Sequence, residues 1–367
     1  MQNTDCPHKK AKYIPSVYIA SFPTPADDTY YFWLYYEALE KQGYHLVDTR
    51  GVRLGETWLE ENAGKISIIH FHWPAYIYSK EAPWEFFKSF LSFCKLLLKA
   101  RSLGYQIAWT VHNIFPHERH NILLEYLTRF CLAHLADVIF VHFEGARHTV
   151  SRRFLTFKNI HKIPHGNFRT VFPNNCTRAE ARERLGLQPE SFVYLIFGPV
   201  RPYKGIEEAV AAFREIAAPE DILLVAGNPS DRHISEWLST TADLDPRIVP
   251  RLRFVLKEDV QYYFQASDVV LLPYKKIFTS GNLFLALTFG RPVVCPNIGI
   301  MSEVVDTEVG IKYDLRSDGS SLIEAMREIK WRDHKKCCEA ALKKAESFTW
   351  EEAAAISAMA FGQFRRS

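Results

Sequence analysis

Two successive series of short apolar runs, separated by helix-like stretches, constrain this 367-residue chain more than any other feature. Strands of parallel sheets form continuous apolar runs because helices cover both faces, and each strand needs a crossover to reach the next. The series therefore predict an α/β protein with two Rossmann-like domains that face a cleft. The predicted strands are 16–21, 66–71, 106–111, 138–142 and 160–163 in the first series, and 192–197, 222–226, 251–255, 268–272 and 292–295 in the second.

Helical periodicity between these runs supplies the crossovers. A turn-rich junction at 171–177 separates the series, which predicts domains at 1–172 and 173–345 and a final segment at 346–367. We expect this last segment to be a helix that returns to the first domain, with Thr349 as its N-cap and Glu352 in its first turn. The predicted helices are 30–42, 83–103, 123–135, 206–216, 234–239, 260–265, 281–289 and 350–364.

Charge and cysteine usage narrow the function. A formal charge of +3 does not favour a nucleic-acid partner. Seven cysteines without a CxxC pair are typical of free thiols in a reducing compartment. The first 15 residues lack a signal-peptide apolar region, and no run has the length of a membrane span, so we expect a cytoplasmic protein.

The loop after the predicted strand 192–197 combines a glycine with two cations. Gly198 allows the backbone to approach a ligand closely. Arg201 and Lys204 stand just before a predicted helix, whose N-terminus also favours anions. The loop predicts a diphosphate site, and the alternative is a basic surface loop.

A second helix start follows the predicted strand 268–272. Thr279 or Ser280 can cap a helix whose first N–H groups, at Gly281 and Asn282, then face the cleft. These four residues are candidates for a second diphosphate contact. The alternative is an ordinary capped helix.

Several motifs in this order resemble the carboxyl-terminal domain of family 4 glycosyltransferases (glycosyl transferases group 1). They are Gly198 to Lys204-Gly205, Ala286 to Gly290-Arg291-Pro292-Val293-Val294, the segment 299–305 followed by Gly310, and Ser347 to Trp350. The resemblance covers about 192–364. It implies the GT-B fold, a nucleotide-sugar donor held without a metal, and no cofactor.

The resemblance also has one departure. The two glutamates of the family pattern would fall at Ile277 and Leu285, which are apolar here. The donor is therefore expected to rely on residues 279–282. Further candidates for contact with the base or sugar are Val255, Leu256, Lys257 and Glu303.

The first domain carries polar residues just after its predicted strands. The segment 109–118 resembles the T-x-H-D/N-x-x-P segment of family 4 enzymes, which makes His112 the candidate for contact with the donor sugar and Glu118 a candidate for contact with donor or acceptor. His72 and Trp73 are candidates for acceptor binding, because sugars stack on aromatic faces. His70 and His72 share one face of a strand, but no third ligand follows, so no metal site is expected.

The loop after the first strand contains two carboxylates. Asp27 or Asp28 could deprotonate an acceptor hydroxyl in a reaction that inverts the anomeric centre. The alternative for Asp28 is a helix N-cap.

The segment 83–105 is apolar, aromatic and basic. With the three preceding residues it contains five basic and two acidic side chains. Such a helix could lie on the inner face of an anionic membrane, where a lipid-linked acceptor would be found. The alternative is a helix that covers the sheet and exposes a basic edge.

These observations favour transfer of a hexose from a UDP- or GDP-sugar to a glycan acceptor, which a lipid could carry, in polysaccharide or glycoconjugate synthesis. One alternative is another GT-B enzyme, such as a nucleotide-sugar epimerase. The other is a non-catalytic module that binds nucleotide sugars. A dehydrogenase is less favoured, because no G-x-G-x-x-G follows the first strand.

Overall fold

The computed structural model describes residues 16–24, 26–27, 29–115 and 121–363, which form two parallel sheets of six strands each. The first sheet has the order β2-β1-β3-β4-β5-β6, and the second has the order β12-β11-β10-β7-β8-β9. The strands are β1 (Val17–Phe22), β2 (Tyr44–Val47), β3 (Ile68–Phe71), β4 (Gln106–Thr110), β5 (Val138–Val141), β6 (Ile160–Lys162), β7 (Val193–Phe197), β8 (Ile222–Ala226), β9 (Ile248–Arg251), β10 (Val269–Leu271), β11 (Val293–Pro296) and β12 (Gly310–Tyr313).

Each sheet has a point at which the chain reverses its direction of strand addition. That point lies between β1 and β3 in the first sheet and between β7 and β10 in the second. Loops on the two sides of such a point diverge and leave a crevice at the carboxyl ends of the strands. The order of strands therefore places the loops after β1, β3, β7 and β10 beside the two expected binding crevices.

The helices begin at residues that satisfy the free N–H groups of a first turn. Asn121 caps α5, Asp231 caps α9, and Thr177 forms a capping box with Glu180 at the start of α7. The helices are α1 (Tyr30–Glu40), α2 (Glu56–Asn62), α3 (Ala75–Tyr78), α4 (Pro83–Ser102), α5 (Ile122–Leu135), α6 (Glu144–Phe154), α7 (Arg178–Leu185), α8 (Ile206–Ile216), α9 (Arg232–Leu244), α10 (Val260–Ala266), α11 (Gly281–Thr288), α12 (Gly299–Val304), α13 (Ser320–Ile329), α14 (His334–Glu346) and α15 (Trp350–Gln363).

The final helix, α15, packs against α1 of the first sheet. The Tyr35 hydroxyl donates to Ser357 Oγ at 2.8 Å, and Trp350 Nε1 donates to the carbonyl of Asn167 at 2.6 Å. A Cβ atom on Gly166 would lie 2.2 Å from the Trp350 ring, so only glycine fits there. These contacts connect the end of the chain to the first sheet.

The two halves also meet directly beside the cleft. The His165 ring stacks on Phe284 of α11 with centroids 4.2 Å apart, and Phe143 contacts Phe278 edge-on at 5.0 Å. The structure therefore describes an arrangement in which the carboxyl ends of the two sheets are close together.

The expectation of an α/β chain with two parallel sheets is confirmed. The predicted strand 251–255 is wrong, because β9 ends at Arg251. Ile248 of β9 is buried and pairs with Leu223 of β8, whereas Phe254 is exposed. The sequence reading missed the edge strands β2 and β12, whose mixed polarity weakens the apolar signal, and the helices α2, α3, α6, α7 and α12 to α14.

Candidate functional site

The loop after β7 brings a lysine and an asparagine to one glycine. Gly198 has φ +92°, and a Cβ atom there would lie 2.9 Å from Lys204 Nζ and 3.0 Å from Asn282 Nδ2. A side chain at this position would displace both polar groups and strain the backbone. Gly198 therefore allows the two groups to meet at the carboxyl end of β7.

Lys204 is buried, with 2% of its surface exposed. Its ammonium donates to the carbonyl of Phe197 at 2.9 Å, and it makes no ion pair with any described carboxylate. Burial, with a smaller effect from Arg201, lowers the pKa of Lys204 to about 7. A buried cation without a counter-charge suits an anionic ligand, which would restore its charged form.

The N-terminus of α11 lies on the same side of the crevice. The Ser280 hydroxyl accepts from the N–H of Leu283 at 3.3 Å, and Gly281 is exposed. Asn282 Nδ2 donates to the Phe197 carbonyl at 2.8 Å and to the Tyr274 hydroxyl at 3.1 Å. The start of α11, with its free N–H groups, therefore lies close to Lys204.

Thr279 has a different contact from the one expected. Its hydroxyl donates to the carbonyl of His112 at 2.8 Å, so it joins the two halves of the molecule. The diphosphate contact predicted for Thr279 stays a prediction. Arg201 is partly exposed in the same loop and makes no ion pair with any residue in the described ranges.

His112 ends a chain of hydrogen bonds that runs through the first sheet. Its Nε2 lies 3.0 Å from His72 Nδ1, and His72 Nε2 lies 3.2 Å from the Tyr36 hydroxyl. The same hydroxyl lies 2.7 Å from His70 Nδ1, and His70 Nε2 lies 2.8 Å from Thr110 Oγ1. Each neutral imidazole has one donor and one acceptor nitrogen, so the chain couples the tautomers of its members.

Burial keeps these imidazoles neutral. It lowers the pKa of His70 to about 3, and it holds the pKa values of His72 and His112 well below their ordinary value. His112 also stacks on Trp73 with centroids 4.6 Å apart. These contacts fix the position of the His112 ring, and its Nδ1 takes no part in the hydrogen bonds described above.

Two buried polar atoms beside His112 have no hydrogen-bond partner in the described part of the chain: the Tyr31 hydroxyl and His142 Nε2. Tyr31 contacts the His112 ring at 4.7 Å, and His142 lies 5.4 Å from it. Buried polar atoms are rarely left unpaired, and those that are call for a ligand, a water or a strained role. Both atoms point to this crevice as a place for a polar ligand.

The other candidate site residues of the first domain do not form one group. His72 is buried, and both its ring nitrogens are engaged, so it supports His112 instead of contacting an acceptor. Asp27 has 83% of its side chain exposed and pairs with Arg50 at 3.2 Å. Asp28 and Glu118 lie outside the described residues.

Glu303 reaches the first domain instead of an open donor pocket. Its carboxylate accepts from the N–H groups of Glu144 at 2.9 Å and Gly145 at 2.6 Å, at the start of α6. A carboxylate at a helix N-terminus is stabilised by the helix dipole. Glu303 thus contacts α6 across the cleft, and its predicted contact with the donor stays a prediction.

The candidate base loop follows β9. Val255 is partly buried, Leu256 and Lys257 are exposed, and the Leu256 carbonyl accepts from the N–H groups of Asp259 and Val260. That carbonyl serves the start of α10, and the base contacts predicted at 255–257 stay a prediction. No described group of three His, Cys, Asp or Glu residues is arranged to hold a metal ion.

Sequence reasoning missed Tyr31, Tyr36, Tyr274, His142 and His165. A signal for the histidines was present: His72, His112 and His142 follow β3, β4 and β5 within two residues of each strand end. In a parallel sheet these positions meet at one edge. The tyrosines come from α1 and from the segment after β10, and no periodic pattern assigns their hydroxyls.

Comparison with known proteins identifies relatives of this fold. Residues 191–330, which contain Lys204 and α11, match the family "Glycosyl transferases group 1". The match spans 140 of the 367 residues. Over the whole chain, the fold is the GT-B fold that the sequence predicted. It is similar to sucrose-phosphate synthase from Thermosynechococcus elongatus, with 18% identity, a TM-score of 0.74 and coverage of 95% of this chain and 98% of the other.

Two further similarities follow. Anabaena HepE, solved in complex with UDP and glucose, is 14% identical, with a TM-score of 0.72 and coverage of 95% and 100%. A GDP-mannose:glycolipid 4-beta-D-mannosyltransferase from Xanthomonas campestris pv. campestris is 28% identical over 248 residues. The aligned part spans 65% of this chain and 65% of that relative.

Proposed function

We propose that this group 1 domain and its partner domain form a glycosyltransferase that moves a hexose from a UDP- or GDP-sugar to a glycan acceptor. The observation that supports this proposal most is Lys204, a buried lysine that has no counter-charge among the described residues and lies near Asn282 at the start of α11. A nucleoside diphosphate supplies the anion that this arrangement lacks. The printed name of the Xanthomonas relative makes GDP-mannose the first donor to test.

The leaving diphosphate gains charge as the glycosidic bond breaks. Lys204, the helix N-terminus and Arg201 would stabilise that charge from fixed positions. This arrangement supports transfer without a metal ion, because the cations and N–H groups neutralise the departing group. His112 would position the donor sugar through Nδ1.

The acceptor would enter from the first domain. Asp27 lies in the loop after β1, at the reversal point of the first sheet. If the reaction inverts the anomeric centre, its carboxylate would take the acceptor proton after the Arg50 ion pair rearranges. If the reaction retains configuration, no such base is required, so loss of activity in Asp27→Asn would favour inversion.

The surface of α4 supports attachment to the inner face of a membrane. Trp84, Leu91 and Leu98 are exposed at helical spacing, and Lys88 lies over the Trp84 ring at 5.2 Å. Among the described helices, none has the length and apolar character to span a bilayer. We therefore propose peripheral attachment, with apolar side chains in the interface and lysines on anionic headgroups.

Sedimentation with vesicles tests the membrane proposal. The full chain should bind vesicles that contain anionic phosphatidylglycerol and should bind neutral phosphatidylcholine vesicles less. Trp84→Ser with Leu91→Ser should abolish binding. Equal binding of this variant and the wild type would contradict the proposal.

A transfer assay tests the activity. Purified protein is incubated with UDP- or GDP-sugars, with and without a glycan acceptor, and free nucleotide and glycosylated product are both measured. Acceptor-dependent nucleotide release supports transfer, whereas conversion of the donor sugar without an acceptor indicates an epimerase. Lys204→Met should lose activity, and Lys275→Met, a change at an exposed lysine paired with Glu208, should retain it.

A further inference from the structure

A groove of about 610 Å³ lies in the first domain, apart from the donor crevice. It is bounded by the loop after β1, the segment 49–54 after β2, and the helices α3 and α4. Its volume is within the range of sites that bind small ligands. The loop after β1 also contains Asp27, which is not among the described residues that line the groove.

One side of the groove is apolar. Phe22, Ile77, Phe93 and Leu96 line it, and Tyr76 stands at its margin with 80% of its surface exposed. Most of these are side chains that make favourable contacts with a hydrocarbon chain. The groove can therefore take an apolar portion of a ligand.

Its charged groups all have one sign. Arg53 and Lys80 line the groove, both are exposed, and neither makes an ion pair with a residue in the described ranges. The described lining contains no Asp or Glu. Other nearby cations are paired: Arg50 with Asp48 at 2.7 Å and Lys99 with Glu60 at 2.6 Å.

Two guanidinium or ammonium groups without carboxylate partners suit an anion, and arginine binds phosphate oxygens in a bidentate manner. Because the cations and the apolar wall share one groove, its ligand should be an amphiphile with an anionic head. A neutral glycan would leave both charges unused.

The helix α4 connects this groove to the exposed apolar surface. Ser89, Ser92 and Leu96 face the groove, whereas Trp84 and Leu98 are exposed on another side of the same helix. The same helix therefore contributes to the groove and to the surface proposed to contact the membrane.

We propose that the groove binds the phosphate or diphosphate ester of a long-chain alcohol, which carries the acceptor glycan. This inference rests on the proposed function, since it assigns the acceptor carrier of that transfer. Arg53 and Lys80 would bind the phosphate, and Phe93 and Leu96 would contact the first part of the hydrocarbon.

Binding of dodecyl phosphate to the full chain, below its micelle concentration, tests the site by calorimetry. The wild type should bind it, and the double variant Arg53→Gln with Lys80→Gln should bind it at least tenfold more weakly. Lys65→Gln, a change at an exposed lysine outside the groove, is the matched control. Unchanged affinity in the double variant would overturn the proposal.

Two further ligands test separately whether the groove binds the anionic head and the hydrocarbon chain. Dodecyl maltoside, which lacks the anion, and inorganic phosphate, which lacks the chain, should each bind at least tenfold more weakly than dodecyl phosphate. Equal binding of dodecyl maltoside would refute the role of the cations, and equal binding of phosphate would refute the role of the apolar wall.

Nucleotide binding at the donor site shows whether the double variant is folded, and transfer assays show which acceptor it still uses. The double variant should keep its thermal stabilisation by GDP or UDP, because Lys204 is untouched. Its KM for a lipid-phosphate-linked acceptor should rise, while its KM for a water-soluble glycan stays unchanged. If nucleotide stabilisation is absent in the wild type but dodecyl phosphate still binds at Arg53 and Lys80, the proposed function fails while the groove assignment stands.

Discussion

Replacing Lys204 by methionine should stabilise the fold while removing nucleotide binding. Methionine keeps much of the hydrocarbon length of lysine but needs no desolvated charge. The lost hydrogen bond is worth about 1 kcal/mol. The Phe197 carbonyl keeps a partner, because Asn282 Nδ2 also donates to it at 2.8 Å.

The size of the gain follows from the pKa of Lys204, which falls from 10.5 to about 7 on folding. Below pH 7 both states hold the proton, so the full cost of burying the charge is present. At roughly 1.4 kcal/mol for each pKa unit, that cost approaches 5 kcal/mol, and relaxation of the site reduces it. Between pH 7 and 10.5 the unfolded state holds more protons than the folded state, so stability rises with pH in this window.

Thermal unfolding at pH 6 and pH 9 measures both consequences. Lys204→Met should be more stable than the wild type by at least about 1 kcal/mol at pH 6, a shift of roughly 2–4 °C for a domain of this size. Its advantage should shrink by roughly 2–3 kcal/mol at pH 9. GDP or UDP should stabilise the wild type and the control Lys275→Met, but not Lys204→Met.

Loss of stability in Lys204→Met at pH 6 would refute this reasoning, since it would mean that the ammonium stabilises the empty site. Full stabilisation of that variant by a nucleoside diphosphate would refute the assignment of Lys204 to the diphosphate.

Three more changes test other parts of the site. Gly198→Ala places a Cβ atom 2.9 Å from Lys204 Nζ at φ +92°, so nucleotide affinity measured by calorimetry should fall at least tenfold. The control Gly64→Ala, at φ +76° with open space around it, should leave the nucleotide affinity unchanged. Tyr36→Phe removes the hydroxyl between His70 and His72, so kcat should fall while the thermal shift with GDP or UDP persists; an unchanged kcat would show that the chain does not position His112. Glu303→Gln weakens the charge-assisted bonds to the start of α6, so small-angle scattering should report a larger radius of gyration, and an unchanged radius would show that other contacts hold the cleft closed.

The fold was largely predictable because parallel strands buried on both faces leave continuous apolar runs. The runs that became β1, β3, β7 and β8 are of this kind, whereas the edge strand β2 has the sequence YHLV, whose polar and half-buried residues leave no such signal. The run at 251–255 alternates apolar and basic residues, a pattern that favours a strand. Its neighbour Ile248 occupies the buried position instead.

The diphosphate loop was predictable for a similar reason, since a glycine and a lysine between a strand and a helix leave a local pattern. The series of hydrogen bonds that links His112 to Thr110 was not predictable, because it runs through the hydroxyl of Tyr36. In the sequence, Tyr36 looks like one more apolar position of the helix α1. The contact of Glu303 with α6 joins residues that are 158 and 159 positions apart, and nothing local in the sequence indicates it.

Calorimetry of nucleoside diphosphate binding at pH 8, in buffers with different ionisation enthalpies, tests the diphosphate site most directly. An empty site with a Lys204 pKa of about 7 is mostly neutral at this pH, and an adjacent diphosphate would return it to the charged form. The wild type should therefore take up about one proton for each nucleotide bound, and Lys204→Met should take up none. Nucleotide binding without proton uptake in the wild type would mean that the diphosphate lies elsewhere.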